Sequence, residues 1–313
     1  MRNLTLKQLR YFDAVVRFGH FGRAAEDCAI TQPALSMQIK DLEESVGTPL
    51  LERGPRSVHL TRFGEIFAER AREILRAVDD LSDLARAAAS GVAGQIRLGI
   101  IPTIAPYLLP RILSRITASY PDLDLHLRET ITPNLLLELS EGRLDCAIVA
   151  LPVNEPTLTE VPLFSERFLL VRPEDDAELP VPTKDMLKEM RLLLLEEGHC
   201  FRDQALSFCD LPQSKPRDML EGSSLATLVQ MVGAGIGVTL IPEMAIPVET
   251  RSARVAVSAF ANPEPQRTIG IVWRRSHPLA AQLHRIAGEV REAGLELYRA
   301  IDFKPFPAGR LTS

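Results

Sequence analysis

Residues 24–65, AAEDCAITQPALSMQIKDLEESVGTPLLERGPRSVHLTRFGE, decide how the N-terminal part of this chain folds. Thr31-Gln32-Pro33 opens a helix: the Thr31 hydroxyl suits an N-cap, and Pro33 falls in the first turn, where its missing N–H costs little. Leu35, Ile39, Leu42 and Val46 form the apolar stripe of that helix, and Gln32, Ser36 and Lys40 follow at steps of four on the opposite ridge. Upstream, Leu6, Leu9, Phe12, Val15 and Val16 recur at helical spacing over residues 5–18, Gly19 stops them, and an Ala-rich segment fills 21–29. Two short helices joined by a tight turn, the second polar on its outer face, read as a helix-turn-helix. Residues 50–60 then read as a small hairpin whose Gly54-Pro55 tip is flanked by Arg53 and Arg56, a wing suited to phosphates. The pattern by itself fits any three-helix domain.

Charge qualifies the nucleic-acid reading without excluding it. The formal net charge is −5, but residues 1–90 carry 13 Lys/Arg and 13 Asp/Glu, so the deficit belongs to the remainder, with 23 against 28. A neutral head can still present a local basic face. The 313 residues suggest about two domains, and 46% apolar with 25% charged residues places the chain among globular proteins. No apolar run reaches the roughly 18 residues of a membrane span, and the N-terminus lacks a signal-peptide pattern, so a cytoplasmic protein with no membrane partner is expected.

After the wing, residues 61–89 continue as a helix of about 40 Å. Phe67, Ala71, Ile74, Val78, Leu81 and Ala85 alternate steps of four and three between charges, a coiled-coil seam that implies a homodimer and a two-fold double-stranded DNA site. Residues 90–94 read as a hinge. From residue 95 strands and helices alternate, which argues for an α/β domain with mostly parallel sheets. Strands are expected at 95–101, 123–129, 144–151, 168–172, 191–195, 238–241 and 268–273, and helices at 106–119, 133–141, 201–208, 224–232 and 278–298. Two lobes follow, the first from 95–165 with 268–300 and the second from 166–267, with a tail at 303–313. Gly233-Ala234-Gly235-Ile236-Gly237 lies after a helix and before a strand, the reverse of a dinucleotide fingerprint, so it reads as a helix stop and turn. No metal-site spacing occurs, and neither metal nor cofactor is expected. His126 reads as structural.

Residues 24–65 strongly resemble the winged helix-turn-helix of LysR-type transcriptional regulators. The resemblance implies a DNA-binding head at 1–60, preceding the linker helix and a two-lobed, periplasmic-binding-protein-like regulatory domain at 95–302. It implies that Gln32, Pro33 and Ser36 enter the major groove and that Arg53 contacts backbone; Thr31, Lys40 and Arg56 complete the candidate DNA contacts.

Residues 192–209, LLLLEEGHCFRDQALSFC, carry the most chemical information. A strand ends, Gly198 turns the chain, and Cys200 stands at or before a helix start, where oriented N–H groups favour a thiolate. His199 and Arg202 are candidates to add positive charge. Were residues 200–209 helical, the two cysteine Cα atoms would lie about 13 Å apart, whereas a disulfide needs about 7 Å or less. On spacing alone, two buried cysteines that never meet are the favoured reading. Cys28 and Cys146 read as core.

The segments GHCFRDQALSFC, IPTIAPYLLP and PEPQRTIGIVWR resemble the peroxide-sensing members of the LysR-type family over nearly the whole chain. The resemblance implies that hydrogen peroxide oxidises Cys200 to a sulfenic acid, which Cys209 resolves to an intramolecular disulfide. By the same resemblance Thr103 and Thr132 supply hydroxyls (with Thr130 a competitor for the second), Arg267 stabilises the thiolate, and His199 and Asp203 stand at matching positions. For each Thr an N-cap is the plain alternative. The chain is then a transcription factor, not a turnover enzyme, expected as a homotetramer, with RNA polymerase a candidate further partner. A LysR-type regulator that binds a metabolite between its lobes, and a thiol peroxidase carrying a DNA-binding domain, are the rival readings.

Overall fold

The protein is described here by a computed structural model covering residues 4–53, 58–87, 92, 94–209, 220–260 and 264–301. It divides into two compact units, Met1–Ala88 and Ala89–Ser313. Arg56, the wing tip, most of the expected hinge and the expected tail fall outside the described residues.

In the first unit α1 (Leu6–Phe18) starts on a capping box, in which Thr5 and Gln8 each satisfy the other's backbone N–H, and ends on Gly19 at φ +60. The N-cap of α2 (Phe21–Asp27) is His20, whose Nδ1 accepts from Gly22 N at 3.0 Å. Helix α3 (Gln32–Val46) is capped by Thr31 as expected. Strands β1 (Leu51–Arg53) and β2 (Val58–Leu60) pair antiparallel. Glu43 fixes the wing by accepting from Leu50 N and Leu51 N at 2.8 and 3.1 Å. The wing also presses on α4 (Arg62–Ala87): a Cβ on Gly64 would lie 2.0 Å from the Leu50 carbonyl oxygen, so glycine is required there.

Helix α4 changes the reading of the seam. Phe67 packs edge-on against Phe12 at 5.4 Å, and Ala68 and Ala71 are buried in the same core. Arg72 reaches back to Asp13 at 3.0 Å. The first two seam positions therefore belong to the core of the winged unit itself, whereas Ile74 (49% exposed) and Leu81 (64% exposed) are left uncovered.

The second unit contains β3 (Gly94–Ile100), α5 (Ala105–Ser119), β4 (Leu123–Glu129), α6 (Thr132–Ser140) and β5 (Cys146–Leu151). Strand β6 (Leu158–Pro173) is followed by α7 (Lys184–Glu189), β7 (Leu194–Leu195), α8 (Cys200–Phe208), β8 (Glu221–Gly222) and α9 (Leu225–Gly233). Then come β9 (Thr239–Pro242), α10 (Ile246–Glu249), β10 (Val255–Ala259), β11 (Gln266–Arg274) and α11 (Ala280–Ala300). Strands β3, β4 and β5 are parallel, as are β7 and β8, which fits the expected alternation. The long strands β6 and β11 pair antiparallel with each other and with their neighbours. They are the two crossings between lobes: β6 pairs β11 through its first half, and β9 and β10 through its second. Gly233–Gly237 does follow a helix and precede a strand bridge at Val238, with Gly235 at φ +74.

A buried polar cluster locks the first lobe. Asp145 accepts from Arg97 N at 2.7 Å, from Arg97 Nη2 at 2.7 Å and from His277 Nε2 at 3.2 Å. His277 Nδ1 accepts from Leu279 N, which places the proton on Nε2. Burial alone would raise the Asp145 carboxyl, but the His277 and Arg97 hydrogen bonds hold it well below the usual carboxylate range. Such a group contributes stability above its unfolded pKa, lost as pH falls through the folded one. Asp145→Asn is therefore expected to cost about 3 kcal/mol at pH 7, with the gap to wild type narrowing between about pH 4 and pH 2. Urea midpoints at pH 7 and pH 3 check this; a pH-independent gap would contradict it.

Candidate redox site and nucleic-acid face

On the first unit, Thr31, Gln32, Pro33 and Lys40 are exposed along α3 and Ser36 is half-buried. Lys40 lies 3.9 Å from Glu44, a solvent-screened pair that leaves it available. Met37, 62% exposed on the same helix, is an apolar member of this face that the polar-ridge reading passed over. Arg53 continues β1 opposite Val58.

In the second unit the backbone puts Cys200 at the first position of α8 and Cys209 at its C-cap. Cys200 is half-buried, Cys209 has no exposed surface, and all four cysteines are thiols. Because α8 is helical throughout, the two Cα atoms are about 13 Å apart, and a disulfide requires the helix to give way. Burial raises the thiol pKa of Cys146 well above its ordinary value and raises that of Cys28, with Asp27 adding to the latter. Cys146 is core as expected, whereas Cys28 is half-buried as the C-cap of α2. His126 is exposed and bonded to Asp124.

Two cavities divide the expected site residues. One, of about 570 Å³, is lined by Cys200, Gly198, Asp203 and Thr132, and extends along α6. The other, of about 420 Å³, lies between the lobes and is lined by Thr103, Thr130, His199, Tyr107 and Ser224 among others. Ile131 stands between them: Gly198, at φ +93, has room for no side chain, since a Cβ would come 2.7 Å from Ile131 Cδ1. Thr132 is not an N-cap. Ile131 takes that place and Thr132 is the first helical residue, with a buried Oγ1 that has no hydrogen-bond partner. Thr130 accepts from Asn134 at 3.1 Å and faces the other cavity.

The cations expected around Cys200 are engaged elsewhere. Arg267 is fully buried and ion-paired with Glu166 at 2.7 Å. It donates from Nη1 to Thr103 Oγ1 at 2.8 Å and stacks 5.3 Å over Phe201. Arg202 is buried and donates to Leu195 O and to Glu221 Oε1 at 3.0 and 2.8 Å. Burial pushes His199 below its ordinary 6.5, against the pull of Glu196, so its ring is neutral at pH 7. Their neutralisation replaces the expected cluster of free positive charge. Glu166, which the sequence reading missed, organises Arg267 and through it Thr103; it also accepts from Met244 N at 3.1 Å.

Residues 6–65 match the bacterial regulatory helix-turn-helix protein family, lysR, and residues 89–294 match the LysR substrate binding domain. The chain is 40% identical over 291 residues to the DNA-binding transcriptional dual regulator OxyR of Escherichia coli (strain K12), covering 92% of this chain and 95% of that protein. A full-length OxyR mutant from Pseudomonas aeruginosa superposes with TM-score 0.73 at 35% identity, covering 92% and 98% of the two chains. A hydrogen peroxide-bound OxyR mutant of Corynebacterium glutamicum gives TM-score 0.66 at 36% identity, covering 95% and 94%.

The two threonines differ energetically. Thr103→Val leaves the buried Arg267 Nη1 without its acceptor and is expected to cost about 1–3 kcal/mol, whereas Thr132→Val removes an unpartnered hydroxyl and is expected to be about neutral. Urea unfolding of the two variants measures the contrast, and equal costs would contradict it.

Proposed function

The chain belongs to the LysR family of bacterial regulatory helix-turn-helix proteins, among its hydrogen peroxide-inducible genes activators, and we propose that oxidation of Cys200 switches its DNA binding. The observation that carries this reading is the cavity that Cys200 and Thr132 both line, the Thr132 hydroxyl being buried and unpartnered, with Cys209 buried at the other end of the same helix as Cys200.

The Cys200 sulfur attacks one peroxide oxygen: an S–O bond forms, the O–O bond breaks, and the leaving hydroxide takes up a proton to become water. Thr132 is the hydroxyl donor at the thiol, and Asp203 borders the same cavity. Thr103, held by Arg267, and neutral His199 support the site from the interlobe side. The Cys209 thiol then attacks the sulfenic sulfur, the S–S bond forms, and a second water leaves. This half-reaction turns over only if a reductant restores the thiols, in keeping with a regulator in a reducing cytoplasm. The disulfide demands that α8 unwind, and that rearrangement is the signal.

On this reading residues 1–60 bind DNA, 61–89 link, and 95–302 sense. Gln32, Pro33 and Ser36 enter the major groove, flanked by Thr31 and Lys40, and Arg53 and Arg56 of the wing hold phosphates. Ile74 and Leu81 join two copies over a two-fold site, a tetramer forms through the sensing domains, and the rearranged assembly meets RNA polymerase. The interlobe cavity of about 420 Å³ favours, as a second reading, a metabolite-controlled regulator.

Stoichiometric hydrogen peroxide is expected to remove two thiols per chain from the wild type and to leave Cys200→Ser unoxidised, while Cys209→Ser stops at a trappable sulfenic acid. Thiol titration with mass spectrometry, paired with DNA footprinting, checks this. A peroxide-induced footprint change that survives Cys200→Ser would overturn the proposal in favour of another sensor group.

A further inference from the structure

We propose that Met37 is a base-reading residue of α3 that selects a thymine by packing on its C5-methyl group in the major groove. The inference rests on the reading of the first unit as a DNA-binding head and deepens it from groove entry to one element of sequence choice.

The placement of Met37 follows from helix geometry. Leu35, Ile39 and Leu42 have no exposed surface and fix the inward side of α3. Met37 is two residues from both Leu35 and Ile39, so it lies about 160° from each around the helix axis. It therefore stands at the middle of the outward face, 62% exposed, four residues after the exposed Pro33 and three before the exposed Lys40. Gln32 and Ser36 form a polar ridge beside it. Among the described residues Met37 is the exposed large apolar side chain of α3, and it takes no part in the core beneath.

Charge says which half of the helix meets a polyanion. Residues 31–40 contain no acid and end on Lys40, whereas Asp41, Glu43 and Glu44 follow in the second half. The backbone N–H groups at the start of α3 add positive field at the same end. Phosphates on both walls of a groove thus accept the first half and repel the second. A recognition helix enters with its N-terminal residues at the base edges. The major groove, about 12 Å wide, matches a helix of about 10–12 Å with its side chains. The outward centre of that first half, which is Met37, then faces the base edges on the groove floor.

The chemistry of the side chain chooses the base. A thioether is a weak acceptor and has no donor. Laid against N7 and O6 of guanine, the N4 amine of cytosine or the N6 amine of adenine, it strips water from polar groups and returns no good hydrogen bond. Thymine is the base that presents a methyl group in the major groove. Burying that methyl against Met37 removes apolar area from water on both partners. Selection thus combines reward at one base with penalty at the others. One buried methyl is worth about fourfold in Kd, and a two-fold site presents one to each of two copies of Met37.

The test uses the reduced full-length protein and a duplex that the wild type selects from a randomised library. Selection is repeated with Met37→Ala, and one thymine per half-site is expected to lose its preference while the remaining positions keep theirs. Deoxyuridine at that position differs from thymidine by the missing methyl. It is expected to weaken wild-type binding by at least about fivefold, to weaken Met37→Leu to a similar degree, and to change Met37→Ala by less than about twofold. Met37 is exposed and alanine is a strong helix former, so urea midpoints and non-specific affinity are expected to match wild type. The absence of a thymine preference that depends on residue 37, or a deoxyuridine penalty that persists in Met37→Ala, overturns the inference and leaves DNA binding standing. A shift in oligomeric state with base preference unchanged places a second copy on this face and overturns it as well. Failure of the wild type to select any sequence removes the DNA-binding reading itself.

Discussion

The Glu166–Arg267 ion pair sits where the two lobe-crossing strands face each other, with the two residues as direct partners in the β6–β11 register. Both side chains have no exposed surface. Burying two charges is expensive, and the cost is offset only when every donor and acceptor is matched. Here the matching is thorough: Arg267 spends its N–H groups on Glu166 and Thr103, and Glu166 accepts from Met244 N as well. One pair therefore fixes the crossing strands, the loop before α5 and, through the ring of Phe201, the first turn of α8. Removing either charge strands the other in the core, so geometry around Cys200 is inherited from a contact the sulfur does not make.

That inheritance changes the electrostatic picture of the thiol's surroundings. Arg267 and Arg202 are paired with Glu166 and Glu221, and the His199 ring is neutral at pH 7. Among the described residues the side-chain cations near the site are thus structural, and the field that these residues offer an anion comes from the backbone N–H groups that open α8. A field built from backbone depends on the helix being intact and vanishes when α8 unwinds. The fold thereby couples the reactivity of Cys200 to the same segment that oxidation must dismantle.

Much of this was legible from local pattern. Thr31 before Pro33, the stops at Gly19 and Gly235, and the alternation beyond residue 95 follow from capping and periodicity and sit where those rules put them. Strands of two residues such as β8 produce no period, and α7 and α10 are too short to show one. The seam reading failed at Phe67 and Ala71 because an apolar ridge does not say whether its own domain or a second chain will cover it. Glu166 was missed although a signal existed: Phe164, Glu166 and Phe168 share one face of β6 by their period of two, and all three are buried. A carboxylate between two buried phenylalanines must have a cation opposite. Thr132 was found by resemblance alone, since no sequence rule foretells an unpartnered hydroxyl.

Which end of α8 yields to a disulfide follows from how each is held. At the N-terminal end Phe201 packs on Phe168 at 4.7 Å and under Arg267, and Arg202 is ion-paired and hydrogen-bonded in the core. Breaking a buried charge pair of that kind costs about 3–5 kcal/mol. At the C-terminal end the half-buried Phe208 meets Phe260 at 5.0 Å and the Lys184 ammonium at 4.7 Å. An aromatic edge contact is worth about 0.5–1.5 kcal/mol beyond its buried area, and an exposed cation–π contact about 0.5–1 kcal/mol. Of these contacts, those at the C-terminal turn are the cheaper to release, so on the proposed disulfide reading Cys209 travels toward a Cys200 that its anchors hold in place. In the mechanism proposed above, the nucleophile would then stay beside Thr132 while the resolving thiol moves, leaving the cavity formed through the peroxide step and reserving the structural change for the disulfide.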